Sequence, residues 1–511
     1  MPIIIFRLAA AIAFAFSLVS HTHMFQLEGY HRDAFGRWLS DNAGVVCARI
    51  TFALVSLVIS FFGGAALYAA AFFMLLTAYA FIPRIKAKKP LVYTARVKRM
   101  LFTAALIYII LGVLFSFTRF EAAFESLFVM LSFAILVAAD VVNSPVEKAV
   151  KRGYINDAKK KLSARHDLIV VGITGSYGKT STKNFLCKLL EPEYNVLITP
   201  ASYNTPMGVV KTVREMLKPS HEIFICEMGA KYKGDIKELC DIAKPKYGII
   251  TAIGPQHLES FGTVENIADT KFELADAIPQ DGRIYLNYDN AYIRSRDTGK
   301  HVVSYGIDFA DADCKANITK ISDKGTEFEI SYKGKTYNFT TKLLGKHNVQ
   351  NLAGCICFAL DFGVDPDDVA IAVRRLEPVT HRLQMLDAGN GITIIDDAFN
   401  ANPTGTHAAL EVMSVLDGVK IIVTPGMIEL GNRQSELNFK FGEECAAVCD
   451  YIFLVGKRIA DDVYDGAKKA GFDETRLLRF DTVTAAVDAA RAVVSDQHKY
   501  ILLENDLPDN Y

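Results

Sequence analysis

"DLIVVGITGSYGKTSTKNFL" occupies residues 167–186 and joins a short apolar run to two glycines and a Gly-Lys-Thr sequence. The apolar run is typical of a buried β-strand, and the residues after the glycines predict a helix over 179–191. Backbone N–H groups at the start of a helix bind phosphate oxygens, helped by the helix dipole. A standard P-loop places four residues between its first glycine and Gly-Lys, whereas Gly175 and Gly178 enclose only two. The stretch alone leaves three interpretations open: a defective nucleotide site, a glycine turn without a ligand, or a phosphate loop of another class.

A phosphate loop at this position would give each polar residue of the turn a role. Lys179 would reach the terminal phosphate of a nucleotide, and the Thr180 hydroxyl would bind Mg²⁺. The other residues that we expect at the phosphates are Gly175, Ser176, Gly178 and Ser181. The turn therefore predicts a site for ATP and magnesium, provided that further residues support it.

The chain from residue 166 onward alternates β-like and helical segments. Five apolar runs predict the strands of a first α/β domain: "LIVVGI", "YNVLIT", "EIFICE", "YGIITAI" and "RIYLN". Short alternating segments over 301–343 predict a small antiparallel meander, and a helix is expected to begin near His347. After about residue 384, five more apolar runs alternate with helices. We therefore predict a P-loop-type central ATPase domain followed by a Rossmann-like C-terminal domain.

Composition sets the first 145 residues apart from this α/β region. The 511-residue chain is 51% hydrophobic with a net charge of −1, and the apolar excess lies before residue 145. A charge so close to zero argues against a nucleic-acid partner. Four stretches are long enough, or nearly so, to cross a bilayer: 2–20, 45–82, 100–118 and 122–142. Because 45–82 is too long for one helix, we predict two helices with Gly63 and Gly64 at the turn, and five spans in total.

The charge of the loops predicts the orientation of this multi-span region. Residues 83–99 carry seven Lys and Arg and no acid, so the positive-inside rule places them in the cytoplasm. The last two spans then return the chain to the cytoplasm, where a basic connector over 146–165 would lie close to the lipid surface. The sequence thus predicts a multi-pass protein of a bacterial-type cytoplasmic membrane with its catalytic domains in the cytoplasm. Nine cysteines without a C-x-x-C pair indicate structural thiols in a reducing compartment.

Three residues beyond the glycine turn strengthen the nucleotide hypothesis. Glu227 ends the strand "EIFICE", and His257 follows the next predicted strand. The carboxyl ends of parallel strands meet at one sheet edge, where ligands bind. Lys271 lies shortly afterwards on a predicted helix. An acid, an imidazole and a lysine beside a phosphate loop favour metal-assisted phosphoryl chemistry. The alternative interpretation makes Glu227 a helix cap, His257 a loop residue and Lys271 part of a solvated helix face.

Seven motifs occur in an order that resembles the Mur ligase family: "TGSYGKTS", "EMGAKYKGDI", "HLESFG", "KFEL", "GKHNVQN", "HRLQ" and "DDAFNANP". They are most similar to its UDP-N-acetylmuramoyl-tripeptide–D-alanyl-D-alanine ligase branch, and the resemblance covers about residues 166–500. These enzymes use a shortened G-x-x-G-K-T loop, so the resemblance implies that the loop is complete for its class. It further implies an ATP-dependent amide ligase. ATP phosphorylates a carboxylate, an amine attacks the acyl phosphate, and ADP and phosphate leave.

The same resemblance implies a role for each matched residue. Lys179 would hold the terminal phosphate, Thr180 and Glu227 would bind one Mg²⁺, and His257 would bind a second. Lys271 matches a lysine that family members carbamylate. The remaining matched positions comprise adenine contacts at Asn348 and Asn351, a phosphate contact at Arg382, nucleotide contacts at Asp397 and Asn400, and a substrate contact at Asn204.

The predicted domain plan is a membrane domain over 1–145, the connector, a central ATP-binding domain over 166–383 and a C-terminal domain over 384–511. The membrane region stands where the family has a soluble domain that binds the UDP end of its first substrate. We therefore expect that the acceptor is a cell-wall precursor. This precursor would be either linked to a membrane lipid or delivered to the enzyme at the membrane. The amine donor would be an amino acid or a dipeptide. Because the chain stops at "YILLENDLPDNY", soon after the last predicted strand, we do not carry over D-alanyl-D-alanine as the donor.

Three other functions remain as alternatives to a complete ligase. The chain would act as a carboxyl-activating subunit that works with a partner amidotransferase, or as a non-catalytic membrane scaffold that retains the ATP fold. The third, a transporter ATPase subunit, fits poorly because the long Walker A spacing is absent.

Overall fold

The computed structural model describes residues 2–62, 64, 67–72, 74, 89–118, 120–201, 203–256, 258–322, 325–379, 381–398, 401–428, 430–456 and 458–505. The chain divides into two compact units, with the boundary between Gly153 and Tyr154. The first is helical and the second is built on two β-sheets.

Helices make up the described part of the first unit. They are α1 (Pro2–Leu27), α2 (Arg32–Asp41), α3 (Ala43–Phe62), α4 (Ala95–Phe115), α5 (Glu121–Met130) and α6 (Ser132–Ser163), whose residues from Tyr154 onward belong to the second unit. Two segments, Ile3–Leu27 and Ala95–Phe115, are long and apolar enough to cross a bilayer. A third span is reached only if α5 and α6, which are bent by 73° at their junction, count as one. This count covers only the residues that the structure describes.

The five predicted spans are therefore not confirmed as a set. The predicted span over 122–142 is bent at Leu131 between α5 and α6, so it stays a prediction that holds only if the two helices together form one span. The predicted turn after α3 falls at Gly64, which has a φ of +96°, but its partner Gly63 lies outside the described residues. Residues 75–88, which include the end of the following predicted helix and the first part of the basic loop over 83–99, also lie outside them.

Buried polar contacts join the helices of the first unit. Asp140 on α6 is buried and forms ion pairs with Arg32 of α2 (N···O 2.8 Å) and Arg96 of α4 (N···O 3.1 Å). The Tyr108 hydroxyl donates to buried Glu125 at 2.5 Å. Charged groups in an apolar bundle need such partners because hydrocarbon side chains do not solvate them.

The larger sheet of the second unit has nine strands in the order β2-β3-β1-β4-β5-β6-β7-β8-β9. They are β1 (Ile169–Thr174), β2 (Val196–Ile198), β3 (Ile223–Glu227), β4 (Tyr247–Ile250), β5 (Arg283–Asn287), β6 (Val302–Gly306), β7 (Cys314–Ser322), β8 (Gly325–Tyr332) and β9 (Lys335–Thr341). The first five confirm the predicted apolar strands. Strands β1 to β6 run parallel and are buried because helices cover both faces.

The predicted meander over 301–343 is only partly correct. Strands β7, β8 and β9 are antiparallel, but β6 pairs in parallel with β5 and belongs to the main sheet. The alternating sequence pattern predicted a strand with one exposed face. In the structure the β6 side chains are buried on both faces of the sheet, apart from a half-buried first residue. Helix α13 (Lys346–Asp361) then begins next to the predicted start at His347.

Helices connect the parallel strands of the nine-stranded sheet. They are α7 (Lys179–Leu190), α8 (Pro206–Met216), α9 (Asp235–Ala243), α10 (Leu258–Phe261), α11 (Val264–Ala277) and α12 (Ala291–Arg294), and α14 (Pro366–Arg375) follows α13. The apolar side chains of α7, α13 and α14 pack with one face of the sheet in one core, and those of α9 and α11 pack with the other.

The smaller sheet has six strands in the order β10-β11-β15-β12-β13-β14. They are β10 (Gln384–Asp387), β11 (Ile392–Asp397), β12 (Val419–Thr424), β13 (Tyr451–Val455), β14 (Leu477–Phe480) and β15 (Lys499–Glu504). Its helices are α15 (Pro403–Ser414), α16 (Gln434–Val448), α17 (Arg458–Lys469) and α18 (Val483–Ala492). The five predicted strands are parallel, and β10 is an additional antiparallel edge strand.

Candidate active site at the phosphate loop

The glycine turn between β1 and α7 is shaped by two close approaches. Gly175 has a φ of +151°, and a Cβ atom there would lie 2.1 Å from the Thr251 hydroxyl. Gly178 has a φ of +79°, and its Cβ would lie 2.6 Å from Asn351 Oδ1. Both positions require glycine because a side chain has neither the backbone conformation nor the space. Gly178 has no side chain to cap α7, so the first N–H groups of that helix keep their capacity to bind an anion.

Lys179 begins α7 with its ammonium group against the loop. Its Nζ donates to the carbonyl oxygens of Gly175 (2.8 Å) and Ser176 (3.1 Å). Burial lowers the pKa of Lys179 to about 8, Glu227 opposes this change, and Arg382 adds to it. The Ser176 hydroxyl donates to the Gly254 carbonyl at 3.1 Å, which ties the loop to the segment after β4. Ser181 is half-buried in the first turn of the helix.

Glu227 ends β3 as a buried carboxylate with three partners. Its Oε1 accepts from Thr180 Oγ1 at 3.2 Å and from Asn204 Nδ2 at 3.0 Å. Its Oε2 lies 2.9 Å from the buried Lys183 ammonium group. Burial alone would raise the pKa of Glu227, but Lys183 and Lys179 together hold it below the usual value. The structure therefore brings together Thr180, Glu227 and Asn204, which the sequence had placed in one site.

Lys271 is buried on α11. Burial lowers its pKa well below the usual value, and the positive charge of Lys179 contributes in the same direction. The alternative interpretation, in which Lys271 is part of a solvated helix face, is therefore wrong. His257, the imidazole of the predicted cluster, lies outside the described residues, as does Asn400.

The two asparagines of α13 have different surroundings. Asn351 packs against Gly178 of the phosphate loop, whereas Asn348 Nδ2 donates to the Leu344 carbonyl at 2.8 Å. Their expected contact with adenine stays a prediction.

Arg382 lies in the strained segment of chain that leads into the first strand of the smaller sheet. His381 and Leu383 on either side have φ angles of +60° and +47°, which non-glycine residues rarely adopt. His381 Nδ1 lies 2.7 Å from Asp396 Oδ2, and the Leu383 N–H donates to Asp397 Oδ1 at 3.1 Å. The paired acids of "DDAFNANP" therefore hold both neighbours of Arg382. Arg382 itself is half-buried, and its partial removal from water lowers its pKa.

Asp397 has a second acid beside it that the sequence analysis missed. Glu504 is its register partner on β15, and both sit at the carboxyl ends of their strands. Burial raises the pKa of Asp397 to about 6 and that of Glu504 well above its usual value, and Arg382 opposes both changes. The position of Glu504 at the end of an apolar strand is the signal that would have identified it. The sequence analysis also missed Lys183. Its spacing of four residues from Lys179, which puts both lysines on one face of the predicted helix, is the signal that would have identified it.

Comparison with known proteins gives this site its context. Residues 173–359 match the family model of the Mur ligase middle domain, and residues 381–503 match that of the Mur ligase, glutamate ligase domain. The chain is 33% identical over 345 residues to the UDP-N-acetylmuramoyl-tripeptide–D-alanyl-D-alanine ligase of Bacillus subtilis, covering 65% of this chain and 71% of that relative. The chain belongs to the Mur ligase family.

Other relatives and solved structures agree with this assignment. The Escherichia coli ligase of the same name is 27% identical over 353 residues, covering 66% of this chain and 77% of its own. The crystal structure of MurF from Acinetobacter baumannii matches with a TM-score of 0.63 at 26% identity, over 70% of this chain and 77% of that one. MurF ligase from Thermotoga maritima in complex with ADP matches with a TM-score of 0.62 at 26% identity, over 70% and 80%. Mur ligases are ATP-dependent ligases, and this chain is one of them.

Mur ligases use ATP and Mg²⁺, and the residues of this site fit both. The close approaches at Gly175 and Gly178 hold a turn that only glycine can form, at the N-terminus of a helix. The Thr180 hydroxyl and the Glu227 carboxylate supply the oxygen ligands that Mg²⁺ prefers. Among the described residues no group of three or more His, Cys, Asp and Glu is placed to hold a metal. Substrate phosphates would therefore complete the coordination, as is usual for Mg²⁺.

Proposed function

We propose that this Mur ligase is a membrane-anchored enzyme that joins an amino acid or a dipeptide to a cell-wall precursor. ATP transfers its terminal phosphoryl group to a carboxylate of the precursor and leaves as ADP. The amine of the donor then attacks the acyl phosphate, an amide bond forms, and phosphate and one proton are released. The contact of Thr180 and Asn204 with Glu227 beside the phosphate loop is the observation that carries this proposal.

The residues of the loop have distinct roles in this reaction. The N-terminus of α7 and Lys179 bind the phosphates of ATP, Thr180 and Glu227 hold one Mg²⁺, and His257 holds a second. Bound Mg²⁺ would neutralise the charge that develops on the transferred group. Asn204 contacts the acceptor near its carboxylate, since the amide already lies against Glu227.

We also propose that Lys271 is carbamylated. A lysine reacts with CO₂ only as the neutral amine, which then becomes a carbamate and releases a proton. The lowered pKa of Lys271 supports this reaction because burial favours the neutral amine. The resulting carboxylate-like group would carry a negative charge toward the metal and would remove the repulsion from Lys179.

Residues from the second sheet complete the nucleotide site in this proposal. Arg382 binds phosphate, while Asp397 and Asn400 contact the nucleotide together with Asn348 and Asn351. Closure of the two sheets over ATP would exclude water from the acyl phosphate, which hydrolyses easily. The strained backbone around Arg382 supports a functional role for that arginine.

The membrane anchor and a lipid-linked acceptor belong to the same proposal. The matched family domains begin at residue 173, and the segment before them contains two helices suited to a bilayer. The relatives are named for a UDP-linked tripeptide and D-alanyl-D-alanine. Here we propose that the acceptor meets the enzyme at the membrane surface, and we leave the donor open between an amino acid and a dipeptide.

Release of ADP by the purified full-length protein tests this function. UDP-linked and lipid-linked peptide acceptors are each combined with candidate amino acids and dipeptides, in nanodiscs that contain anionic lipid. We expect ADP and an amide product in equal amounts with a lipid-linked acceptor, and loss of both in Lys179→Ala and Lys271→Ala. Unchanged turnover in both variants would refute the site. Faster turnover with a soluble UDP-linked acceptor would refute the lipid-linked acceptor, and product formation only with ammonia and a partner protein would favour the carboxyl-activating subunit.

A further inference from the structure

Lys183 is a fully buried lysine that the proposed reaction does not use. It lies one helical turn beyond Lys179 on α7, with 1% of its side chain exposed. Its Nζ is 2.9 Å from Glu227 Oε2 and donates to the Ala201 carbonyl at 2.9 Å. Lysine is almost never fully buried unless it is paired, so this position calls for an explanation.

We propose that Lys183 is a positioning residue that fixes one oxygen of Glu227 and thereby presents the other to the metal and the acceptor. The inference rests on the proposed function, since it concerns the acid that would hold Mg²⁺. The two carboxylate oxygens are divided between different partners. Oε2 faces Lys183, whereas Oε1 faces Thr180 and Asn204.

This division restricts how the acid binds a cation. A carboxylate that rotates freely binds a metal through one oxygen or through both. Because the Lys183 ammonium group engages Oε2, only Oε1 is left on the side of the Thr180 hydroxyl. Lys183 thus selects a single-oxygen contact and keeps that oxygen beside the phosphate loop. Groups behind a metal ligand commonly have this orienting effect.

The second bond of Lys183 extends the effect to the acceptor side. Ala201, whose carbonyl accepts it, has a φ of +43°, which a residue with a side chain seldom adopts. The same loop also binds the backbone of Glu227, whose N–H donates to Thr199 Oγ1 at 3.0 Å. The loop then continues to Asn204, which contacts Glu227 Oε1. Lys183 therefore links the phosphate-loop helix, the acid and the loop that carries Asn204.

A simpler role for Lys183 would be to neutralise the buried charge of Glu227. The two roles differ in what Lys183→Arg does. Arginine keeps the positive charge, but its planar and longer guanidinium group cannot reproduce both contacts of the ammonium group. If Lys183 only neutralises charge, Lys183→Arg would bind magnesium and nucleotide as the unmodified protein does. If it positions the carboxylate, both Lys183→Arg and Lys183→Met would need more magnesium.

The test uses full-length protein and measures Mg²⁺-dependent binding of a fluorescent ATP analogue as well as ADP release. We expect the Mg²⁺ concentration for half-maximal binding to rise about tenfold or more in both variants, as is typical when a group behind a metal ligand is changed. The KM for the acceptor should rise as well, because the Asn204 loop loses its anchor. Lys188→Met is the matched control, since Lys188 lies on the same helix but pairs with Glu191 at the surface.

Each outcome decides between the hypotheses. An unchanged magnesium requirement in folded Lys183→Arg would overturn the inference, and thermal unfolding of each variant shows whether it is folded. If Lys183→Met does not fold, Lys183→Arg alone carries the test. If the unmodified protein binds no nucleotide with magnesium, the proposed function fails and this inference fails with it. If it binds nucleotide but forms no product, only the substrates were wrong, and the binding measurement still tests Lys183.

Discussion

Asn351 and Gly178 touch across the phosphate loop, so that a Cβ atom on residue 178 would lie 2.6 Å from the Asn351 side-chain oxygen. The loop and helix α13 therefore constrain each other, although 173 residues separate the two positions. This contact exists because α13 packs beside α7 on the same face of the nine-stranded sheet.

Gly178→Ala should weaken nucleotide binding. The left-handed conformation costs a residue with a Cβ atom about 1–2 kcal/mol, and the contact with Asn351 adds to this. We expect ATP affinity to fall by about tenfold or more, measured by titration calorimetry of the full-length protein. Gly234→Ala is the matched control, because Gly234 also caps a helix with a positive φ but has open space around it. Equal losses in the two variants would contradict a specific role for the Asn351 contact.

Glu227→Ala should destabilise the protein as well as inactivate it. The variant leaves the Lys183 ammonium group buried without its counter-charge, which typically costs about 3–5 kcal/mol. Urea unfolding monitored by fluorescence should show a large decrease in the midpoint. The double variant Glu227→Ala with Lys183→Met should recover part of this stability, because no buried charge remains. A double variant no more stable than Glu227→Ala would show that the ion pair is not the cause.

Asp397→Asn should increase stability near neutral pH while it reduces ligase activity. The pKa of Asp397 is raised by burial from 3.8 to about 6, so the folded state binds a proton more tightly than the unfolded state. Stability from this group is present below pH 4 and is lost as the pH rises through 6. An asparagine has no carboxylate to ionise. The gain in stability of Asp397→Asn over the unmodified protein should therefore be larger at pH 7.5 than at pH 5.

Denaturation midpoints at pH 5 and pH 7.5 measure this difference. We expect a gain in the free energy of unfolding on the order of 1–3 kcal/mol at pH 7.5 and roughly half of that gain at pH 5, because pH 5 already lies above the unfolded pKa of 3.8. Asp387→Asn, at the exposed end of β10, serves as the control for loss of one carboxylate. A variant that loses stability equally at both pH values would mean that Asp397 is ionised and well paired in the folded state.

Ile109→Arg should disturb membrane insertion. Ile109 is 57% exposed and lies on one face of α4 with Phe102, Leu106 and Val113, which are exposed as well. An arginine near the centre of a spanning helix costs about 2.5–3.5 kcal/mol on insertion scales. We expect a smaller share of the protein to remain in the membrane fraction after carbonate extraction. Met207→Arg, on the exposed surface of α8, is the control, and unchanged extraction of Ile109→Arg would contradict α4 as a span.

Prediction from the sequence succeeded where the signal is local. The strand–turn–helix at the phosphate loop, the strand that ends in Glu227 and the helix near His347 follow from runs of neighbouring residues, and all three are confirmed. It failed where a short pattern has two structural explanations. The pattern of the β6 segment predicts one strand of an antiparallel meander. In the structure β6 is buried on both faces and pairs in parallel with β5.

The amino-acid sequence by itself determined the phosphate loop and the acid beside it, because glycine spacing and the ends of apolar strands are properties of a few consecutive residues. Only the tertiary structure decided which groups complete the site. Lys183 faces Glu227, Asn351 fills the space at Gly178, and Glu504 stands beside Asp397. These pairs lie 44, 173 and 107 residues apart, and only strand register and helix packing bring them together.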